Sequence, residues 1–433
     1  MLCLSLSGCS KDETDVAVES QIEWMRVLDE NVSGNTETDV FLGQNGKVIT
    51  DEQGNIYLYY YQDLTRTAVV LKCDPNGTTV WRKTFNDCIP MDMVRRSDGD
   101  VVLAVRDLPG SENIFVLFVI KENGQVLQLA VIHTPSGGSS GVLNGNMYVM
   151  PDNSIVMSGA YTASFLIGFP EDQIGYVLKL NQAYQKVWNF NTAFNLLGLG
   201  SDFVMEQNSI VPLQSGKYLM QFSVTSDPVQ ADSLTYGYLT AVVDEDMGVV
   251  TPDSAGIDTS YFTFTGYSVQ SSGNRGGYFH RYANGLIPIG NGEYMHHFSG
   301  PVSLIPGLPA NTPISNGFFR IASDGITIKD TVPIPLPNGY RVLSCSYSGS
   351  RFMATAYEIG AINVTTDFSA NQTLFLTGDG NFNTIHSFRF QDFYADLFTS
   401  TTPLSDGGFL IMGKIQSFNG PNNKLVLIKW KER

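Results

Sequence analysis

The sequence predicts an all-β fold made of a repeated four-stranded unit, and three observations carry this prediction. Almost everything after Val40 consists of short apolar runs separated by Gly, Asn and Asp turns, without a helical period. A tight turn followed by a strongly apolar run recurs seven times. A Trp also recurs at a fixed distance from a preceding Lys. A closed array of such units is a seven-bladed β-propeller of four-stranded antiparallel blades.

The clearest unit begins with strands over 54–61 and 68–72, turns at Asp74-Pro75-Asn76-Gly77 and continues into a strand that contains Trp81. A later copy has strands over 154–157 and 176–179, followed by Val187-Trp188. Lys72 to Trp81 and Lys179 to Trp188 both span nine residues, which predicts one hairpin register for both copies. In this interpretation Trp24, Trp81 and Trp188 occupy equivalent outer-strand positions and pack between blades.

The recurring turn joins the first strand of each unit to the second. Its copies lie about 45 to 76 residues apart, within or somewhat beyond the range of propeller repeats. They are Gln53-Gly54-Asn55, Ser97-Asp98-Gly99-Asp100, Pro151-Asp152-Asn153, Gln214-Ser215-Gly216, Gly290-Asn291-Gly292, Tyr347-Ser348-Gly349 and Ser405-Asp406-Gly407-Gly408. A ring of six or eight blades, or two stacked β-sandwiches, are the alternatives to seven blades.

The two ends of the chain predict how the ring closes. The last unit supplies strands over 409–415 and 425–430 and then stops one strand short. Residues 22–28 alternate apolar and polar side chains and contain Trp24, in the style of the other outer strands. We therefore expect this N-terminal strand to pair with the strand of Trp430, so that the closing sheet is complete.

Loop lengths predict which face of the ring binds a ligand. In a four-stranded meander, the connections between strands one and two and between strands three and four share one face, and the remaining connections share the other. Six long insertions are assigned to the second face, where long loops usually carry binding groups. They are Ala160–Gln173, Ala193–Gln207, Val224–Thr235, Pro252–Ala283, Ser299–Ser315 and Glu358–Ala370.

The longest insertion, Pro252–Ala283, mixes aromatic rings with Gly and Ser, which suits a sugar or peptide surface. The alternative is that these rings cover their own loop. The candidate ligand-binding residues are Tyr261, Tyr267, Arg275, Tyr278, His280, Arg281 and Tyr282.

No catalytic constellation stands out. His296 and His297 are neighbours in a predicted strand, so their side chains point to opposite faces and cannot chelate one metal ion. Carboxylates from separate blades could meet near the axis, as in glycosidases that use two carboxylates, and the candidates are Asp92, Asp107, Asp227 and Asp392. Each is more simply read as a turn or rim residue. No cofactor is predicted, with calcium left open, because the Asp/Asn/Gly runs read as turns.

Composition excludes several classes of protein. The chain has 433 residues and a formal net charge of −16, which removes the basic surface that nucleic acids require. The longest apolar run, Ile114–Ile120, is far too short to span a bilayer. Beyond Cys3 and Cys9, the odd remainder of Cys73, Cys88 and Cys345 argues against a disulfide framework, and Cys73 and Cys88 are predicted too distant to bridge.

The first residues indicate where the protein is located in the cell. Leu6-Ser7-Gly8-Cys9 follows a brief apolar stretch and resembles a bacterial lipobox, in which the cysteine is acylated and becomes the first residue of the mature protein. An ordinary N-terminus with an incidental cysteine is the alternative. Residues 1–20 are thus assigned to a lipoprotein signal and tether, and 21–433 to one propeller domain. Residues 10–15 look like the acidic tag of surface-exported Bacteroidetes lipoproteins.

The repeats resemble those of β-propeller lipoproteins of the Bacteroidetes, which run apolar-apolar-Lys-x-Asp/Asn-x-x-Gly-x-x-x-Trp. Quinoprotein-type and kelch-like propellers are similar. In the second repeat, Ala130 stands where we expect the Trp. The resemblance implies display at the cell surface, with the protein anchored in the outer membrane by its lipid. The lipobox, the ring and the one-sided insertions without a catalytic constellation predict that the protein binds a glycan or protein ligand without catalysis. The alternatives are a glycoside hydrolase or lyase with carboxylates near the axis, and a scaffold subunit of an outer-membrane complex.

Overall fold

A computed structural model describes most of the chain: residues 21–29, 47–62, 65–107, 114–133, 142–163, 172–192, 203–213, 218–226, 234–243, 262–269, 287–302, 314–324, 327–334, 336, 340–358, 373–381, 385–390, 395–416 and 423–431. The described residues form strands almost exclusively, with one short 3-10 helix at Gly290–Gly292.

The strands, numbered in chain order, are β1 Ile22–Asp29, β2 Lys47–Thr50, β3 Ile56–Gln62, β4 Thr67–Cys73, β5 Thr79–Asn86, β6 Cys88–Arg95, β7 Val101–Asp107, β8 Ile114–Ile120, β9 Val126–His133, β10 Val142–Val149, β11 Ile155–Ala163, β12 Asp172–Leu180, β13 Lys186–Thr192, β14 Phe203–Pro212, β15 Tyr218–Ser226, β16 Leu234–Val243, β17 Phe262–Val269, β18 Ile287–Pro288, β19 Tyr294–Val302, β20 Ile314–Ile321, β21 Ile328–Pro333, β22 Tyr340–Tyr347, β23 Arg351–Glu358, β24 Leu374–Asp379, β25 Ile385–Phe388, β26 Ala395–Pro403, β27 Phe409–Gln416 and β28 Asn423–Trp430.

These strands form seven antiparallel sheets of four strands each. The first six are β2–β5, β6–β9, β10–β13, β14–β17, β18–β21 and β22–β25, each a simple meander, and the seventh is β26, β27, β28 and β1. Each sheet packs against the next, and the seventh packs against the first. The chain is therefore an all-β propeller of four-stranded antiparallel blades.

The predicted ring closure is confirmed. Strand β1 pairs antiparallel with β28, with Trp24 opposite Lys429 and Ile22 opposite Trp430. The backbone N–H of Lys431 extends the pairing by donating to the carbonyl of Gln21, at 2.8 Å. The N-terminal strand thus becomes the outermost strand of a sheet whose other three strands come from the C-terminal end of the chain.

Burial follows strand position within each blade. All residues of β4, a central strand of the first sheet, are buried, whereas β5 at the outer edge is mostly exposed. Apolar side chains fill the space between neighbouring sheets: Met91 and Val102 of the second sheet pack in one core with Met147 and Ile155 of the third. Because central strands are covered on both faces, they read as continuous apolar runs.

The predicted register and thiol states agree with the structure. Lys72 lies opposite Trp81 in the first sheet, and Lys179 lies opposite Trp188 in the third. Cys73, Cys88 and Cys345 are all buried and unbridged. The expected second-repeat position was wrong, however. Gln128, not Ala130, lies at the Trp position, because Lys121 begins the turn of that hairpin, as Asp74 does in the first sheet.

The assignment of Pro252–Ala283 to one continuous loop was also wrong, because the segment contains β17. This strand is the outermost one of the fourth sheet, with Phe262 opposite Ala241 and Val269 opposite Leu234. Residues 244–261 therefore join the third strand of the sheet to the fourth, and residues 270–286 join the fourth strand to the next sheet. The long insertion is thus divided between the two ends of β17. The sequence pattern of this strand was not recognised because Gly and Ser residues lie on either side of it.

Candidate functional site

The first strands of neighbouring sheets meet around the centre of the propeller. Strand β6 contacts β2 and β10, while β26 contacts β2 and β22. A first strand has only one hydrogen-bonded neighbour in its own sheet, so its inner edge leaves backbone groups that need other partners. Polar side chains at this central layer supply some of them, and Asp92 accepts three hydrogen bonds among the described residues.

Asp92 links three sheets through its two carboxylate oxygens. The Lys47 ammonium of β2 donates to Oδ1 at 2.8 Å, and the backbone N–H of Met93 donates to the same oxygen at 2.8 Å. The backbone N–H of Met147, on β10, donates to Oδ2 at 2.6 Å. The Asp92 side chain is 5% exposed and that of Lys47 is 39% exposed. The charge of the buried carboxylate is thus balanced by an ammonium that reaches solvent.

Tyr59 completes this cluster from the second strand of the first sheet. Its hydroxyl donates to the carbonyl of Met91 at 3.1 Å. Burial, together with the nearby Asp92 charge, raises the pKa of Tyr59 well above its ordinary value. The phenol therefore stays protonated and acts as a hydrogen-bond donor, not as a base.

A similar contact connects the sixth and seventh sheets. Counted from the turn between the first two strands, Ser344 of β22 occupies the position that Asp92 occupies in β6. The backbone N–H of Thr401 on β26 donates to Ser344 Oγ at 3.0 Å, as that of Met147 does to Asp92. Thr402 Oγ1 then donates to the carbonyl of Val48 on β2, at 2.7 Å. One structural role is thus filled by a carboxylate in one place and a hydroxyl in another.

The bulge next to Asp92 explains its orientation. The pairing of β6 with β7 skips one residue between Pro90 and Asp92, and β22 has the same irregularity between Val342 and Ser344. A bulge re-aims the side chain beside it. Sequence reasoning expected Asp92 at a turn or rim, which was wrong: Asp92 is a central residue with 4% exposure. The clue available in the sequence was an acidic residue between Met91 and Met93 in an apolar strand.

The other acidic candidates differ from Asp92. Asp107 is the last residue of β7, next to a connection as expected, and its backbone lies opposite Cys88 at the end of the sheet. Asp227 and Asp392 lie outside the described residues. Within the described ranges, no group of three or more His, Cys, Asp or Glu side chains is arranged to hold a metal ion.

The aromatic candidates are placed only in part. Tyr267 lies on β17, opposite Tyr236, so it belongs to a strand and not to a loop. Tyr261, Arg275, Tyr278, His280, Arg281 and Tyr282 lie outside the described residues, as do Cys9 and the rest of residues 1–20. Because the chain enters β17 after Tyr261 at one end and leaves it before Arg275 at the other, the set is divided along the chain between the two ends of this strand.

His296 and His297 lie on β19, as predicted, opposite Phe319 and Phe318. No helix in the described part of the chain has the length and apolarity that a membrane crossing needs.

Comparisons with known proteins show the fold alone. No protein-family model matches the chain, and no curated protein matches it. Among solved structures, the polysaccharide lyase Uly1 matches with a TM-score of 0.52 and 9% identity, covering 95% of this chain and all (100%) of the lyase. The β-propeller domain of the Trilobed protease from Pyrococcus furiosus has a TM-score of 0.49 and 6% identity, covering 94% of this chain and 97% of the domain. The Dos1 propeller has a TM-score of 0.45 and 10% identity, covering 87% and 74% of the respective chains. The likeness to the lyase in fold thus extends along nearly the whole length of this chain.

Proposed function

We propose that this protein is a surface-anchored binding propeller that captures a glycan or protein ligand without catalysis. The observation that carries the proposal is that the Asp92 carboxylate is fully used in structural hydrogen bonds. Both of its oxygens accept structural hydrogen bonds, from Lys47, Met93 and Met147. A general acid or base must exchange a proton with a substrate, and a carboxylate that holds three sheets together is poorly suited to that task.

The binding surface belongs to the face that carries residues 270–286. Arg275, Tyr278, His280, Arg281 and Tyr282 lie in this segment. Aromatic rings and Arg next to small polar residues bind sugars and peptides with little loss of conformational freedom. Tyr261 and Tyr267 are not assigned to this surface, because Tyr261 precedes β17 and Tyr267 lies within it.

A glycan array and a pull-down from outer-membrane extracts test this proposal. The expected result is a specific ligand whose binding is lost in Tyr278→Ala with Arg281→Ala. The matched control is Val80→Ala on the outer strand β5, where Val80 is 58% exposed and distant in sequence from the binding segment. The assigned surface would be contradicted if the double variant still bound the ligand while the Val80→Ala control did not.

The second candidate is a glycoside hydrolase or lyase, and one observation favours it. The polysaccharide lyase Uly1 matches this chain over almost the full length of both proteins. Incubation with uronic-acid and neutral polysaccharides would reveal lyase activity as absorbance of unsaturated sugar ends, and hydrolase activity as new reducing ends. Turnover that is abolished by Asp92→Asn or Lys47→Met in folded protein would replace the binding proposal with the enzymatic one.

The lipid anchor is a separate proposal that rests on Leu6-Ser7-Gly8-Cys9. Acylation of Cys9 would hold the protein at the outer membrane by its lipid alone. Digestion by protease added to intact cells would show that the protein is displayed at the cell surface. Labelled palmitate should enter the wild-type protein and the Cys3→Ala control but not Cys9→Ala. Equal labelling of all three would remove the anchor, and with it the proposed localisation.

A further inference from the structure

Hydroxyl side chains collect on one face of the sixth sheet, in a layer that is otherwise apolar. Ser344, Ser346 and Thr355 are 1%, 6% and 0% exposed. Ser344 lies opposite Thr355 in the pairing of β22 with β23. Ser344 and Ser346 are two residues apart, so both point to the same face of the strand. The three hydroxyls therefore share one face of the sheet.

That face packs against the seventh sheet. Ser344 Oγ lies 2.9 Å from Thr401 Oγ1 of β26. Met353, which lies opposite Ser346, belongs to the apolar core that includes Phe398 and Ile411 of the seventh sheet. The opposite face of the same strands, with Cys345, packs in the core that includes Phe318 of the fifth sheet. The hydroxyls are thus enclosed between the sixth and seventh sheets.

Two of these hydroxyls have no hydrogen-bond partner among the described residues. Ser346 Oγ and Thr355 Oγ1 are buried atoms without a hydrogen bond to any described group. A buried hydroxyl without a partner loses its hydrogen bonds to water without replacement, so two of them side by side are rare in a native core. The usual resolution is an ordered internal water that bonds to groups of this kind.

The register makes Ser346 and Thr355 diagonal neighbours on one face of the sheet. Thr355 lies diagonally across from Ser346, because Ser346 faces Met353 and Thr355 is two residues further along β23. Diagonal neighbours in an antiparallel pair are about 7–8 Å apart at the backbone and closer at their side chains. One water with hydrogen bonds of about 2.8 Å to each oxygen spans most of that gap.

We propose that an ordered water molecule is bound between the sixth and seventh sheets, bridging Ser346 Oγ and Thr355 Oγ1 next to the Ser344–Thr401 pair. This water is part of the packing between two blades. The proposal is independent of the proposed ligand binding, because it concerns an enclosed interior site and needs neither the long connections nor the anchor.

The experiment is a crystal structure at a resolution that shows ordered water, for the wild-type protein and for Thr355→Val. We expect a density peak within hydrogen-bond distance of both oxygens in the wild-type protein and its loss in Thr355→Val. Thr355→Ser keeps the hydroxyl and should keep the peak, so it serves if the Val variant fails to fold. A wild-type map without a peak between these oxygens overturns the inference.

Unfolding in urea gives a second readout. Removing a hydroxyl that holds a buried water should raise the unfolding equilibrium constant about fivefold, whereas removing a partnerless hydroxyl should leave it unchanged or lower it. The matched control is Thr377→Val, which removes a buried hydroxyl that donates directly to the carbonyl of Phe352 at 3.2 Å. An increase in stability for Thr355→Val, with the expected loss for the control, contradicts the water.

Discussion

Asp92 shows how one residue can hold several blades together. Its carboxylate receives an ammonium from one sheet and a backbone N–H from the next, so its removal should loosen two interfaces at once. In Asp92→Asn, an NH₂ group replaces one carboxylate oxygen, so a hydrogen-bond donor faces either the Lys47 ammonium or a backbone N–H group. We expect a loss of about 2–4 kcal/mol in the free energy of unfolding, measured in urea.

Asp98→Asn is the matched control for this prediction. Asp98 also pairs with a cation, Arg96, at 2.9 Å, but its side chain is 42% exposed. An exposed ion pair contributes about 1 kcal/mol or less, so this variant should unfold close to the wild-type midpoint. Equal losses for the two variants would show that burial and the shared N–H groups give Asp92 no special importance.

The buried thiols should be chemically inert in the folded protein. Burial raises the pKa of the Cys345 thiol far above its ordinary value, and burial is also the largest cause of the raised pKa of Cys73. Since the thiolate is the reactive form, neither residue should react with iodoacetamide at mildly alkaline pH. Peptide mass spectrometry should find both labelled only after denaturation in urea. Labelling of Cys345 in the native protein would contradict its enclosed position.

At the scale of elements, a hairpin turn in one sheet receives an aromatic ring from the sheet before it. Gly77, with φ of 79°, lies beneath Trp24 of β1, and a Cβ built there would come within 2.9 Å of Trp24 Cζ3. Gly124 lies beneath Trp81 of β5 in the same way, with 3.3 Å to Trp81 Cγ. The Trp residues are therefore inter-blade packing elements in these two places, as the sequence predicted.

Gly77→Ala should cost more than an ordinary loss of a turn glycine. The left-handed backbone contributes about 1 kcal/mol, and displacement of Trp24 and Arg26 contributes about 1–3 kcal/mol more. Gly349→Ala separates the two causes, because Gly349 has φ of 80° but no atom within 4 Å of the built Cβ. The measurement is the urea midpoint of both variants. If they lose the same stability, the close approach of Trp24 has no energetic weight.

The third sheet shows a different solution to the same contact. The second sheet has exposed Gln128 where Trp81 stands in the first. The following turn has Tyr184 where the others have Gly, with φ of 62°. Arg96 lies 5.2 Å from the Tyr184 ring centroid and donates to its hydroxyl at 2.6 Å. A repeat search that demands Gly in the turn misses this hairpin, although Lys179 and Trp188 keep the nine-residue spacing of Lys72 and Trp81.

At the scale of the whole molecule, alternation and turn residues were enough to predict the propeller fold, the closing strand and the register of Trp81. These depend on local chemistry that repeats along the chain. The role of Asp92 could not be predicted in the same way, because it arises from a bulge and from contacts with two other sheets. Strand β17 was missed because its flanking Gly and Ser residues resemble a loop.

Ring closure depends on β1, the eight-residue strand Ile22–Asp29. Trp24 and Leu28 pack against the core between the seventh and first sheets, and Ile22 packs against the core between the sixth and seventh. A chain that begins at residue 30 loses these side chains and exposes the edge of β28. We expect a loss of about 3–6 kcal/mol and self-association through the free edge.

A chain that begins at residue 21 is the matched control, since it keeps β1 and removes only residues before it. Urea unfolding and size-exclusion chromatography should find this control monomeric and close to the full chain in stability. A synthetic peptide of residues 21–29 should restore the midpoint of the shorter chain, because β1 pairs with β28 through backbone hydrogen bonds that a separate strand can make. A peptide of the same composition in scrambled order should not, because it cannot place an aromatic ring over Gly77. If the chain that begins at residue 30 remains monomeric with an unchanged midpoint, the N-terminal strand does not close the ring energetically, whatever its position.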